Sequence, residues 1–317
     1  MRGHGFEREL RVVFVGREVE DRKWTLTAKA GAVVPTFVDH RSRELLSIVA
    51  AESPHVVVVF GPHRLARGVA AALPGVCVGF LTDSLPTPRS DDGSPWSSAD
   101  RLTFDADEAP MATWSFDARE YDRVMAADPR VARLEVELDI WRSPPLPVDD
   151  ALYRTRGPLT PDARALFLGA SSDWREAFLV GAKHHYELRH YAFGLEGERL
   201  AKVLRDTSIG VVLALGPWST FEPAAALHLA ADHVLLAGPL EPPRGLEAGL
   251  DHLTFQEPED LLHLLFELQR RPAAFEHVRR RGRVRAEEFR ASRIWPRLLK
   301  DVLHDLHAFG SDRCAVV

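Results

Sequence analysis

Short runs of consecutive apolar residues recur along the chain, each followed by a glycine or polar turn and then by an amphipathic stretch. Leu10 to Gly16 (LRVVFVG) and Ala163 to Gly169 (ARALFLG) are the clearest. Both are rich in β-formers, too short for helices, and closed by a glycine that permits a tight turn. Strands buried on both faces of a parallel sheet have this composition. Similar runs predict strands over 32–38, 56–60, 76–82 and 121–126, with helices over 42–51 and 65–73. In the second half, predicted strands over 187–192, 209–215, 234–237 and 253–255 alternate with helices over 175–182, 197–204, 223–231, 258–269 and 272–290. This alternation, opened twice, implies an α/β protein with one doubly wound parallel sheet in each half.

Between the halves, Trp141 to Pro161 carries five prolines, which withhold the N–H groups a sheet needs, and it reads as an interdomain linker. Pro86 to Asp100 is rich in turn formers and reads as a surface loop. The last amphipathic run places Ile294, Trp295, Leu298, Leu299, Val302, Leu306 and Phe309 on one stripe. That stripe needs a surface to cover, which predicts a helix returning to the first domain. The expected organisation is 1–145, 146–293 and a returning C-terminal segment, 294–317.

Length and composition agree with two domains: 317 residues at 45% hydrophobic content, each half large enough for its own core. Forty basic and 46 acidic residues are well mixed, giving a net charge of −6 and no basic field suited to nucleic acid. Cys77 and Cys314 form no C-x-x-C pair, so neither a disulfide framework nor structural zinc is expected. The charged N-terminus runs straight into a strand, and no apolar run approaches the roughly 20 residues needed to cross a bilayer. A cytoplasmic protein is expected.

Candidate chemistry follows from the carboxyl ends of the strands. Leu213 to Asp251 reads as strand, loop, helix, strand, loop. Loops leaving the carboxyl ends of parallel strands and opening helices are where α/β proteins hold ligands. Trp218, Thr220 and Glu222 lie on the first such loop, and Pro239, Arg244, Gly245, Leu246 and Glu247 on the second. In the first half, Gly16 and Arg17, then Gly61 to His63, then Thr82 to Ser84 follow three strands that converge if the sheet is parallel. His184, His185 and His190 have no cysteine or carboxylate at ligand spacing, so no metal site is expected. The run Arg279 to Arg285 (RRRGRVR) lacks interleaved aromatics and reads as a solvated helix face. Neither strand opening continues into G-x-G-x-x-G, which argues against a dinucleotide-dependent oxidoreductase.

Four stretches, in order, carry a wider resemblance: VVVVFGPHRL with GFLTDSLP, WRSPPLPV, ALFLGASSDWREAFL, and FEPAAALHLAADHVLLAGPLEPPRGLEAGLD. In them the chain resembles bacterial glycosyltransferases of the group 1, family 4-like type. The resemblance implies a GT-B fold, two Rossmann-like domains facing an interdomain cleft. It implies a second domain holding a nucleotide-diphosphate sugar, a first domain holding the acceptor hydroxyl, and no cofactor or metal beyond that donor. On these expectations Gly169, Ser171, Ser172 and Arg175 cradle one phosphate, as would a helix N-terminus. Pro239, Gly245, Leu246 and Glu247, assisted by Arg244, form a second cradle. Glu222 contacts donor hydroxyls, as a carboxylate accepting two hydroxyls can, and Trp218 is a candidate to stack on the base. Gly16 and Arg17 serve the acceptor side, and Asp83 or His63 is the base: Asp83 by resemblance, His63 by its ordinary pKa.

Two positions depart from the pattern. Ala230 stands where many such enzymes have a second glutamate, and Ala170 where an arginine commonly follows the opening strand. The missing charge weakens diphosphate binding by about 1–3 kcal/mol unless Arg175, Lys183 or Arg244 replaces it. Two rival readings therefore stand beside the transferase: a nucleotide-sugar epimerase or hydrolase, and a non-catalytic nucleotide or sugar binder on the same fold.

Overall fold

The computed structural model describes residues 9–82, 101–104, 114–117, 120–126, 141–142, 144–214, 216, 223–240 and 243–309. The chain divides into two compact units, Met1–Pro145 with Ala291–Val317, and Leu146–Arg290. The first holds β1 (Leu10–Gly16), β2 (Val33–Asp39), α1 (Leu45–Ala51), β3 (Val56–Phe60), α2 (Val69–Ala72), β4 (Val76–Leu81), a hairpin of β5 (Arg101–Phe104) and β6 (Trp114–Asp117), β7 (Arg123–Ala126) and β8 (Trp141–Arg142). Its main sheet runs β2-β1-β3-β4-β7-β8, with every pairing parallel. β1, β3 and β4 are almost wholly buried because both faces are covered. Val13, Val15, Val57, Val59, Cys77 and Leu81 pack with Leu45 and Val49 of α1.

The alternate residues Phe14, Phe60 and Phe80 meet Trp295, whose ring lies 4.8, 6.1 and 5.5 Å from theirs. Trp295 is fully buried, and its indole N–H donates to the Trp24 carbonyl at 2.9 Å. It belongs to a last helix that starts earlier than expected, at Ala291, and ends at Phe309. The buried stripe of that helix is Trp295, Leu299, Val302, Leu303 and Leu306, while Ile294 and Leu298 are only half-buried. Among the described residues, no helix is long and apolar enough to cross a membrane.

The second unit holds β9 (Ala165–Leu168), α3 (Asp173–Tyr186), β10 (Arg189–Tyr191), α4 (Gly197–Arg205), β11 (Ile209–Val212), α5 (Ala224–Ala230), β12 (Val234–Ala237), β13 (Leu253–Thr254), α6 (Pro258–Arg270) and α7 (Glu276–Arg285); the returning helix Ala291–Phe309 is α8. Its sheet runs β10-β9-β11-β12-β13, all parallel. Phe167, Val211 and Leu236 pack one face against Phe178, Leu179 and Leu265.

Three expectations are corrected. The proline-rich stretch is not a free linker: Trp141–Arg142 pairs with β7, and Leu146, Val148, Leu152 and Tyr153 are buried. Val148 N–H donates to the Phe289 carbonyl at 2.7 Å, and the Arg290 guanidinium lies 3.9 Å over the Tyr153 ring. Proline is tolerated because the paired residues form a sheet edge and the rest needs no ladder. The helix expected over 272–290 is α7 flanked by 3₁₀ turns at Pro272–Phe275 and Ala286–Phe289. The arginine run is only partly a solvated face: Arg280 and Val284 are exposed, but Arg279 is buried against Asp232 and Glu276, while Arg281 and Arg285 meet Glu247 and Asp251.

On its other face the second sheet hides a histidine pair. His228 and His233 are fully buried with their Nδ1 atoms 3.0 Å apart, and His233 Nε2 lies 2.9 Å from the Leu204 carbonyl. A carbonyl only accepts, so His233 carries its proton on Nε2 and His228 Nδ1–H donates to His233 Nδ1. Gly210 makes this possible, since a Cβ there would sit 2.3 Å from His228 Cγ. Burial pushes the His228 pKa down to about 3 and that of His233 well below its ordinary value. A depressed histidine pKa gives stability that is complete above about pH 6.5 and lost as pH falls. Urea unfolding at pH 5.5 should therefore show about 1.4 kcal/mol less stability per buried histidine than at pH 7.5. His228→Phe, which keeps a ring in the space opposite Gly210, should flatten that pH slope; an unchanged slope would contradict the assignment.

Candidate active site

In the second unit the strand order reverses between β9 and β11, because β10 lies on one side of β9 and β11 on the other. Ligands of open α/β sheets bind outside the carboxyl ends of the strands at such a point. The loop Gly169–Ser172 opens there into α3. Ser172 is its N-cap, extended in backbone, with its hydroxyl accepting from Arg175 N–H at 3.2 Å. The remaining first-turn N–H groups have no partner within the helix and concentrate partial positive charge at the loop. Gly169, at φ +155°, admits the Arg175 side chain, since a Cβ would lie 3.0 Å from its Nη1.

Arg175 has a different role from the one expected. It is 5% exposed and donates from Nε and Nη2 to the Leu213 carbonyl at 3.0 and 2.7 Å, from Nε to Ala214 at 3.1 Å, and from Nη1 to Ala170 at 2.9 Å. The guanidinium also lies 5.3 Å over the Phe167 ring. It therefore ties the loop after β9 to the segment after β11 and supplies hydrogen bonds that the buried Leu213 and Ala214 carbonyls would otherwise lack. Lys183 is likewise committed, to both oxygens of Glu176 at 2.9 and 2.7 Å. Glu176 in turn accepts from the Ser171 hydroxyl at 2.8 Å, and these two hydrogen bonds hold its pKa below the ordinary value. His190, considered above only as a metal ligand, places Nε2 at 2.8 Å from the Gly169 carbonyl and so pins the same loop to β10.

The second proposed cradle follows β12, one strand beyond β11 and thus roughly 10 Å from β9. Pro239 is exposed at its start. Arg244 and Gly245 turn the chain at φ +49° and +79°. Leu246 is buried and packs inward instead of presenting a contact surface, and the Glu247 carboxylate points at Arg281 Nη2, 3.3 Å away. Glu247 N–H donates to the Asp251 carboxylate at 2.8 Å, closing the loop on itself. Glu247 is thus part of the ion-pair network under α7. Trp218, Thr220 and Glu222 lie outside the described residues.

In the first unit the order reverses between β1 and β3. There Asp21, 1% exposed, accepts from Arg17 N–H at 2.7 Å and from Arg64 Nη1 at 3.1 Å, with the Thr82 hydroxyl at 3.4 Å. Arg64 also meets Glu20 at 3.1 Å, and Arg17 meets the same carboxylate at 2.6 Å. Gly16 allows the close approach: a Cβ there would sit 2.9 Å from Asp21 Cβ and Oδ2. Gly16, Arg17 and His63 are thus brought to one edge, around Asp21 and Arg64, which the sequence reading missed. An aspartate among four charged neighbours gives no periodic signal, and nothing in VVVVFGPHRL marks Arg64 as its partner, 43 residues away. Burial, then Arg64 and Arg17, push the His63 pKa down to about 3. Its expected pH match as a base is removed, since a base that weak holds little driving force near neutrality. Asp83 lies outside the described residues. No group of three or more His, Cys, Asp or Glu side chains placed to hold a metal occurs among the described residues.

The two guanidinium sites make a direct prediction. Arg175→Met keeps bulk but strands the buried Leu213 and Ala214 carbonyls, and should lower stability by about 3 kcal/mol in urea unfolding. Asp21→Ala, which leaves Arg64 without its buried partner, should cost about as much. A loss below 1 kcal/mol in either would show that these contacts are peripheral.

No family model matches this chain, and no curated protein is similar enough in sequence to match. Solved structures are similar in fold. The HepE protein of Anabaena, in complex with UDP and glucose, shares 10% identity at a TM-score of 0.54, over 94% of this chain and 100% of that one. A glycosyltransferase from Rickettsia africae shares 8% at a TM-score of 0.56, over 94% and 99%. AviGT4, a glycosyltransferase involved in avilamycin A biosynthesis, shares 13% at a TM-score of 0.53, over 95% and 99%. With two parallel sheets of Rossmann-like order and whole-chain similarity to these proteins, the chain has the GT-B fold of glycosyltransferases.

Proposed function

We propose that this chain is a glycosyltransferase that moves a sugar from a nucleotide-diphosphate donor to an acceptor hydroxyl, without a metal ion. The observation that carries this reading is the α3 N-terminus at the β9/β11 reversal. Its loop is fixed from three sides by Ser172, Arg175 and His190, and the first turn of α3 presents N–H groups that have no partner within the helix. The HepE structure of the same fold contains UDP and glucose, which favours a nucleotide sugar as the ligand.

In this mechanism the acceptor oxygen attacks the anomeric carbon as the bond to the donor diphosphate breaks. The α3 N–H groups and helix dipole stabilise the charge developing on the leaving diphosphate. Glu222 holds donor hydroxyls. Asp83 takes the acceptor proton, and Gly16 and Arg17 border the acceptor. His63 stays neutral and serves as a polar neighbour, not the base.

A binder without turnover is the second reading. It is favoured by Ala170 together with the commitment of Arg175 and Lys183 to internal partners, which removes two of the three proposed substitutes for the missing charge.

A thermal-shift series with UDP, GDP, ADP and dTDP tests the site. At 100 times the Kd, the matching nucleotide should stabilise by about 2.7 kcal/mol, a rise of roughly 5–10 °C. Glu222→Ala should reduce that rise with UDP-sugar more than with UDP, and chelator should leave it unchanged. No shift with any nucleotide would remove both readings, and a shift without nucleotide release across a panel of acceptors would favour the binder.

A further inference from the structure

One apolar side chain is far out of place. Phe193 is 90% exposed, more than any other large hydrophobic residue among the described ones, with Val284 next at 69%. It is held there by anchors on both sides. Tyr191, two residues before, is paired with Leu168 of β9 and accepts the Gly169 N–H at 3.1 Å. Leu195, two residues after, is buried, and Gly194 turns the chain at φ +77°. Phe193 therefore leaves the carboxyl end of β10, the strand beside β9, on a short anchored loop. Two residues from Tyr191, its Cα lies at most about 7 Å past the strand end. Adjacent strands are about 4.8 Å apart, so Phe193 leaves its strand next to the strand whose loop opens α3.

Single exposed apolar residues are ordinary on protein surfaces. This one follows the carboxyl end of a strand, the edge at which the donor is proposed to bind, and lies between a paired Tyr191 and a buried Leu195. A nucleoside diphosphate seated at the loop that opens α3 carries its base outward from the phosphates, and every base has a π face that an exposed ring can cover.

We infer that Phe193 is the stacking platform for the base of the nucleotide, and so a residue that sets the affinity of the donor site for the nucleoside. This rests on the donor reading above. Stacking tolerates any base, so Phe193 sets affinity for the nucleoside portion, and the identity of the base is read elsewhere.

Isothermal titration of the full chain separates the two. Wild type, Phe193→Ala and Phe193→Trp are titrated with the best nucleoside diphosphate of the UDP, GDP, ADP and dTDP set and with inorganic pyrophosphate. Phe193→Ala should weaken nucleoside diphosphate binding by about 5–150-fold, leave pyrophosphate binding and thermal stability unchanged, and be rescued by Phe193→Trp. Equal nucleotide affinity in wild type and Phe193→Ala would overturn the platform while leaving the donor site intact. Equal losses for nucleotide and pyrophosphate would overturn it too, because the loop and not the base would then have been disturbed. Absence of nucleotide binding in wild type would overturn the donor reading and this inference together.

Discussion

A guanidinium held inside each chain reversal, buried for Arg175 and largely buried for Arg64, is the constraint on which the rest depends. In the first unit Arg64, from the turn after β3, reaches Asp21 after β1. In the second, Arg175, from the helix after β9, reaches the carbonyls after β11. Strand ends in a covered parallel sheet leave polar groups that water cannot reach, and a planar five-donor fork can satisfy several at once. Small residues make room for both: Gly16 beside Asp21 and Gly169 beside Arg175. Each unit thus fixes its carboxyl-edge loops with the same device, applied to a carboxylate in one and to backbone oxygens in the other.

That device changes what can meet an anion. Arg175 and Lys183 sit in the region where a diphosphate is proposed, yet both are held by internal partners. Recognition at the loop then falls to backbone N–H groups, whose positions are fixed by Ser172, Arg175 and His190. Such preorganised dipoles need little rearrangement when charge develops, which is what a leaving diphosphate requires. In the first unit, Arg17 and Arg64 share Glu20, and Asp21 further offsets Arg64, so the charges of that cluster are balanced within it.

Most strands were legible because strands buried on both faces are written as unbroken apolar runs; 10–16, 56–60 and 234–237 match to the residue. Errors cluster where burial outlasts pairing. Leu213 and Ala214 are buried but lie beyond β11, because their carbonyls bond to Arg175 instead of a neighbouring strand. The arginine run was misread because its acids are distant in sequence: Asp232 lies 47 residues from Arg279, and Asp251 lies 30 from Arg281. The His228–His233 pair with Gly210, and Asp21 with Arg64, escaped for the same reason, since contacts made only in the folded chain leave no local period. In the candidate site, Gly169, Ser171 and Ser172 could be placed from sequence, but the direction of Arg175 and Glu247 could not.

The most direct test of the account is an experimental structure of the chain soaked with UDP. The account predicts the diphosphate within hydrogen-bonding distance of the N–H groups between Ser171 and Asp173, with Arg175 still bonded to the Leu213 carbonyl. A diphosphate bound away from that loop, or an Arg175 that has left its carbonyls to hold the phosphate itself, would contradict it.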